Sequence, residues 1–159
     1  MKTNAVRILD KLSVSYQLRE YDVDPSDLSA EAVAAKVGMA PSQTYKTLVC
    51  KGDKTGYHFA VIAGDRELDL KVLAAAARDR SCSLVPLKEV QPLTGYIRGG
   101  VTVLGAKRAF GAFIDAAALA WPSISVSGGT RGLQIIIAPG DYVRATGATP
   151  VPGLGRSRA

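Results

Sequence analysis

The sequence predicts an α+β domain, a mixed and curled, barrel-like β-sheet with helices around it. Three observations predict it. Short apolar runs suited to strands are interspersed with alanine-rich and capped helical segments, so neither class dominates. Several connections are too short for the crossover of a βαβ unit, which argues against a doubly wound parallel sheet. At 159 residues and 47% hydrophobic content the chain buries one core, and no repeat or linker divides it. The expected organisation is a single domain over residues 1–148 with residues 149–159, TPVPGLGRSRA, as a disordered tail.

Each element has a local reason. Thr3 is placed to cap a helix running to about Leu12, with Val6, Leu9 and Leu12 on its apolar stripe. Tyr16 to Tyr21 reads as a strand, and Asp24-Pro25-Ser26-Asp27 as a loop. Ala30 to Val37 is helical and stops at Gly38. Pro41 to Thr44 is a helical turn or loop. Thr47–Cys50 and Phe59–Ile62 are strands joined through Gly52-Asp53-Lys54-Thr55-Gly56. Gly64-Asp65 makes a turn, and Asp69 caps an alanine-rich helix from Leu70 to Arg78. Ser83–Val85 is a short strand, and Leu87–Val90 one helical turn that ends before Pro92.

Leu93 to Gly105 carries four glycines and little periodicity, so it reads as a loop with short strand pieces. Ala112–Asp115 is a strand and Ala116–Ala120 a helical turn closed by Trp121-Pro122. Ile124 and Val126 pair with Leu133, Ile135 and Ile137 in a hairpin, and Pro139–Thr146 is the last helix, ended by Gly147.

Charge and composition exclude more than they select. No run of 18 apolar residues is present, and the first residues lack the apolar core of a signal peptide, so a cytoplasmic protein without membrane contact is expected. The two cysteines, Cys50 and Cys82, have no CxxC spacing and one histidine, His58, for company; they read as buried small hydrophobes, with neither a metal site nor a cofactor expected. The formal charge of +6 admits an anionic partner such as nucleic acid and equally a plain basic surface.

The segments that carry candidate chemistry are few. There is no GxSxG, HExxH or P-loop lysine motif. Lys46 opens an apolar strand, where its ammonium can bend into a cleft to hold a phosphate or polarise an ester carbonyl; a solvated lysine fits as well. Two Gly-Gly turns, at Gly99-Gly100 and Gly128-Gly129, can each present N–H groups to an anion or oxyanion, and each can be a turn needing positive φ.

The pieces KTNAVRILDKLSVSYQLREYDVD, YKTLV, GDRELDLK, TGYIRGG, LGAKR and VSGGTRGLQI, in this order over about residues 2–147, resemble the YbaK/EbsC-type Cys-tRNA(Pro) deacylases. These are free-standing relatives of the editing domain of prolyl-tRNA synthetase. The resemblance implies hydrolysis of the ester between tRNA(Pro) and a mischarged amino acid. A synthetase pocket separates near-isosteres by only about 10–200-fold, so a second hydrolytic site is needed. It implies a reaction in which the substrate's own cysteine thiol attacks its ester, so that the protein supplies orientation and oxyanion stabilisation. Lys46, Gly100 and Ser127 are the implied catalytic residues. Tyr21, Thr47, Gly99, Gly128, Gly129 and Gln134 are the implied substrate contacts. The implied partners are the acceptor end of tRNA(Pro) and prolyl-tRNA synthetase in a ternary complex, without a cofactor.

Two departures bear on specificity. Thr102-Val103 replaces a Ser-Pro common in the family, and Gln134 stands where some deacylases carry an aspartate. They leave two alternatives open: an Ala-tRNA(Pro) deacylase that uses water, and a tRNA- or synthetase-binding module without hydrolysis.

Overall fold

A computed structural model describes residues 2–158. Its strands are β1 (Gln17–Glu20), β2 (Tyr45–Gly52), β3 (Gly56–Ala63), β4 (Arg66–Leu68), β5 (Cys82–Leu84), β6 (Gly111–Asp115), β7 (Ile124–Ser127), β8 (Leu133–Ile137), β9 (Thr149–Val151) and β10 (Gly155–Ser157). Its α-helices are α1 (Asn4–Lys11), α2 (Ala30–Val37), α3 (Leu70–Ala77), α4 (Leu87–Thr94) and α5 (Pro139–Thr146), with 3₁₀ turns at Pro41–Gln43 and Ala116–Ala120. The α+β class is the expected one. In hydrogen bonds the sheet is three ladders and no closed barrel: β5-β2-β3-β6-β9, β1-β8-β7 and β10-β4. The first is mixed, with β2 antiparallel to β3 and β5, and β6 parallel to β3 and β9. A single parallel bridge, Thr44 to Ser125, links it to the three-stranded ladder.

Strand β3 explains where the core lies. Phe59, Val61 and Ala63 point into one cluster with Leu9, Ile114 and Ile135. Ala60 and Ile62 point into a second with Leu68, Leu73 and Leu154. A strand buried on both faces reads as a continuous apolar run, which is what FAVIA is. The helices fasten to this by their caps. Thr3 Oγ1 accepts from Val6 N–H and donates to Gly128 O at 2.6 Å, tying α1 to the β7–β8 turn. Ser29 caps α2, and Asp69 takes the N–H groups of Lys71 and Val72 at the start of α3.

Two expectations are corrected and one element is added. Helix α4 does not stop before Pro92 but runs through it to Thr94. The missing proline N–H removes the helical partner of the carbonyl of Lys88, a residue exposed at the surface, and burial of Val90, Leu93 and Thr94 holds the turn. Residues 66–68, between the Gly64-Asp65 turn and the Asp69 cap, to which the sequence assigns no element, form β4. The tail is not disordered: β9 and β10 pair with β6 and β4, and Leu154 between them is fully buried. Pro150 sits in β9, an edge strand with one neighbour, where a proline costs least. Gly155 N–H donates to Asp115 Oδ2 at 2.8 Å, and its bare Cα is required because a Cβ would fall 2.9 Å from that oxygen. Ala159 lies outside the described residues.

Asp79, after α3, organises the β2–β3 turn. Its carboxylate accepts from the N–H groups of Lys54 and Thr55 and from the Thr55 hydroxyl, the last at 2.7 Å, and His58 Nε2 lies 3.3 Å away. Thr55 and these neighbours hold the Asp79 carboxyl well below the usual carboxylate range.

Two outcomes are expected. Leu154→Ala leaves a cavity in the second cluster and lowers stability by ~2–5 kcal/mol in urea unfolding; an unchanged midpoint is the result a loose tail would give. Because the folded Asp79 carboxyl titrates lower than the unfolded one, its contribution is complete above the unfolded pKa of ~3.9 and fades as pH falls below it. Asp79→Asn therefore lowers the thermal midpoint at pH 7 and narrows the further drop that wild type shows on acidification. Parallel curves of midpoint against pH for the two proteins would contradict this.

Candidate active site

The site begins as a split in a sheet. One edge of β2 is taken up by β3 along its full length. On the other edge, β5 pairs only from Cys50 to Gly52, with Val85 N–H reaching Val49 O at 3.0 Å, and β7 is bridged only at Thr44, the residue before β2. Between these points the strands diverge. The alternation of an antiparallel ladder turns the peptide groups of Tyr45, Thr47 and Val49 toward this edge, since Val49 O already bonds there. The gap is a cleft of about 440 Å³. One wall is Thr44–Val49 of β2, and the opposite wall holds Ser127, Gln134, Gly99 and Val101. Leu84, Val85, Leu87 and Val90 make an apolar end, and Glu31, Arg98 and Arg158 a charged one.

Lys46 is half-buried in this cleft, and its Nζ donates to Gly64 O at 3.3 Å. Burial, then the nearby Arg158 charge, push its proton affinity below the ordinary lysine value, while Glu31 and Asp65 pull the other way. Ser127 and Gln134 are cross-strand partners on β7 and β8, so their side chains share a face. Gln134 is buried and donates to Ser125 Oγ at 2.9 Å; Ser127 Oγ accepts from Gly129 N–H at 3.1 Å and keeps its own proton to offer. Glu31 is the one carboxylate among the described lining residues, and Arg158 Nη1 lies 3.0 Å from it. His58 is away from the cleft, hydrogen-bonded to Thr55 and facing Asp79. Cys50 is buried with its thiol pushed up to about 12, and Cys82 is raised to about 11, both chiefly by burial; neither lines the cleft. The arrangement can hold an anion and polarise a carbonyl. It carries no thiolate of its own and, among the described residues, no cluster of metal-ligating side chains.

Residues 24–145 match the family model of the aminoacyl-tRNA editing domain. The chain belongs to this family. A protein of Enterococcus faecalis (strain ATCC 700802 / V583) named "Putative Cys-tRNA(Pro)/Cys-tRNA(Cys) deacylase EbsC" is 42% identical over 138 residues, covering 87% of this chain and 84% of its own. A crystal structure of "a putative trans-editing enzyme for prolyl tRNA synthetase" superposes with a TM-score of 0.80 at 26% identity, covering 96% of this chain and 97% of its own. The hypothetical protein APE2540 shares the fold, with a TM-score of 0.87 at 23% identity over 97% of this chain and 100% of its own.

In this editing domain the structure brings five of the expected residues to one cleft: Lys46, Thr47, Gly99, Ser127 and Gln134. Four lie elsewhere. Tyr21 lines a neighbouring cleft of about 850 Å³ beside Thr130 and Arg131, with Lys36 Nζ 5.9 Å from its ring centroid. Gly100, Gly128 and Gly129 form the wall's backing and are absent from its lining. The two glycine turns are pressed together: a Cβ on Gly100 would fall 3.1 Å from Thr130 Cα, and one on Gly99 3.3 Å from Arg131 Cγ. Arg131 Nε donates across the junction to Arg98 O at 2.7 Å. Gly128 N–H is used by Leu133 O and Gly129 N–H by Ser127, so these two amides serve the hairpin and not an anion. The substituted Thr102 is buried behind the wall, accepting from Leu104 N–H at 3.3 Å, and Val103 packs on the core. Sequence reasoning missed Glu31, Arg98, Arg158 and the Leu84–Leu87 rim. An arginine beside the tail's strand-like RS dipeptide was the one available signal, and the tail assignment hid it.

Gly99 adopts φ +88°, so Gly99→Ala adds strain of ~1–2 kcal/mol and a contact with Arg131. A lowered thermal midpoint and a weakened grip of the two loops, read as faster amide exchange around Arg98 and Arg131, are expected. Unchanged exchange there would mean the loops do not depend on this contact.

Proposed function

We propose that this editing domain deacylates Cys-tRNA(Pro) by substrate-thiol-assisted ester cleavage. The observation that carries the reading is the cleft itself: a half-buried lysine with lowered proton affinity faces a hydroxyl and an amide, with both protein thiols outside it, Cys50 buried and Cys82 partly so. The name of the Enterococcus relative points to the same substrate. The apolar end at Val85 and Val90 suits a small side chain, and the cationic end suits the phosphate of the terminal nucleotide.

In the proposed step the cysteine thiol, as thiolate, attacks its own ester carbonyl carbon. A carbon–sulfur bond forms, the bond to the ribose oxygen breaks, and the thiol's proton ends on the released ribose hydroxyl. The product thiolactone opens later with water. The ammonium of Lys46 and the hydroxyl of Ser127 are the groups able to stabilise the oxyanion; Gln134 orients the serine-bearing strand through Ser125. Among the described residues no helix is long and apolar enough to cross a membrane. The proposed setting is the cytoplasm, where charged tRNA is used, with prolyl-tRNA synthetase selecting the tRNA for a domain too small to read an anticodon as well.

The test is single-turnover release of labelled amino acid from Cys-, Ala- and Ser-tRNA(Pro). Cysteine is expected to leave fast, with serine and alanine left in place, because a hydroxyl is a far weaker nucleophile than a thiolate and a methyl group none. Lys46→Ala is expected to slow cysteine release by ~10²–10³-fold. Comparable loss of alanine would overturn the thiol mechanism in favour of water attack. No release from any of the three would overturn the hydrolase reading and leave a binding module.

A further inference from the structure

The last described strand does something that neither its pairing nor its composition requires. Residues 154–158 are fixed at four points: Leu154 in the second core cluster, Gly155 N–H on Asp115, Arg156 Nε on Glu67 at 2.9 Å, and Ser157 Oγ accepting from Arg66 at 3.0 Å. The next residue, Arg158, is thereby carried across to the cleft that contains Lys46. Its Nη2 donates to Gly64 O at 3.1 Å, the same carbonyl that Lys46 uses. Two cations therefore converge on one neutral acceptor.

Their counter-charge is incomplete. Glu31 is the one carboxylate among the described lining residues, and it contacts Arg158 through a single nitrogen, Nη1, at 3.0 Å to one oxygen and 3.1 Å to the other. This is not the side-on fork in which two nitrogens meet two oxygens, so the guanidinium is not saturated. Both partners remain close to half exposed, at 47% and 41% of their side-chain surface. An ion pair so open to water adds little to stability, so a stabilising role alone does not account for its construction. A planar guanidinium that stays charged, placed beside a lysine and held by a displaceable carboxylate, fits a phosphodiester.

We infer that Arg158 is a substrate-binding residue of this cleft, which exchanges Glu31 for the phosphate of the terminal nucleotide and so leaves Lys46 to the ester. The inference rests on the reading that the substrate is an aminoacyl-tRNA. It assigns separate tasks to the two cations. Phosphate binding by Arg158 is the same in the ground state and the transition state and belongs in KM, whereas oxyanion stabilisation by Lys46 belongs in kcat.

Two kinds of measurement test it. In the first, steady-state deacylation of Cys-tRNA(Pro) is followed for wild type, Arg158→Ala, Arg158→Lys and Glu31→Gln. Arg158→Ala is expected to raise KM ~10–100-fold, the range for losing a hydrogen bond to a charged group, with kcat within about 2-fold. Arg158→Lys recovers part of the loss. Glu31→Gln leaves KM unchanged or lowers it, because the competing carboxylate is gone. In the second, uncharged tRNA(Pro) is titrated onto each protein over a range of salt concentrations, which reads binding without chemistry. The slope of log affinity against log salt is expected to shrink by ~0.7 in Arg158→Ala, as for one phosphate contact on a single strand. A merely structural ion pair predicts that Arg158→Ala and Glu31→Gln raise KM alike, with the salt slope untouched, and that result overturns the inference. So does a fall in kcat alone. If Arg158→Ala unfolds, Arg158→Lys and Glu31→Gln carry the same distinction. Failure of wild type to release any amino acid would instead sink the deacylase reading, and the salt titration would still report on Arg158.

Discussion

The stretch of β2 from Tyr45 to Leu48, left uncovered on one edge, is the constraint on which the site depends. A strand edge inside a protein is costly unless something meets its peptide groups. Here β5 and β7 approach it from the two ends and turn away, because β5 must pair at Cys50–Gly52 and β7 belongs to the ladder of β1 and β8. The uncovered length becomes a cleft wall. Lys46 occupies that wall by its place in the strand, with no loop needed to position it. The rigidity of the wall comes from β3, which is paired with β2 throughout and buried on both faces.

The facing wall is stiff for a different reason. Its two glycine turns are appressed so closely that at Gly100 a methyl group would meet peptide backbone, and Arg131 is locked to Arg98 O across the junction. Their bare backbone serves mutual approach first. Gly128 in particular has no room for a side chain, since a Cβ would lie 2.7 Å from Leu133 Cγ. What reaches the cleft from this side is therefore a small set: Ser127, Gln134, Gly99 and Val101, with Arg98 at the charged end.

Much of this was legible in the sequence, and the failures have physical causes. YKTLV announced a lysine at the mouth of an apolar strand, and the hairpin of Ile124 and Val126 with Leu133, Ile135 and Ile137 is the β7–β8 pairing, which sets Ser127 opposite Gln134. That Tyr21 lines the neighbouring cleft was not legible, because strand alternation fixes which residues share a face and not which cleft that face meets. The bare amides of Gly128 and Gly129 looked free because their acceptors, Leu133 O and Ser127 Oγ, are set by the folded turn. The tail was misread for a stronger reason. TPVPGLGRSRA has the composition of a loose segment, and its order is wholly non-local, resting on Leu154 in a distant core and on Asp115 some 40 positions earlier. Nothing periodic within those residues can reveal that.

The same non-local anchoring bears on how such a cleft can work without a nucleophile of its own. If the attacking thiol belongs to the substrate, the protein's task is to fix the ester relative to that thiol and to stabilise the developing charge. Both depend on geometry held from several directions. The phosphate end must be held as well, because that grip decides how readily the substrate occupies the cleft. Lys46 cannot do this alone and also serve the carbonyl, since one ammonium on a flexible stem offers a point charge and no orientation. A second cation of fixed direction resolves the conflict. In this fold Arg158 arrives from the end of a strand pinned outside the cleft, by Leu154 in the second core cluster and by Gly155 on Asp115, and so from a direction that β2, β7 and β8 do not supply.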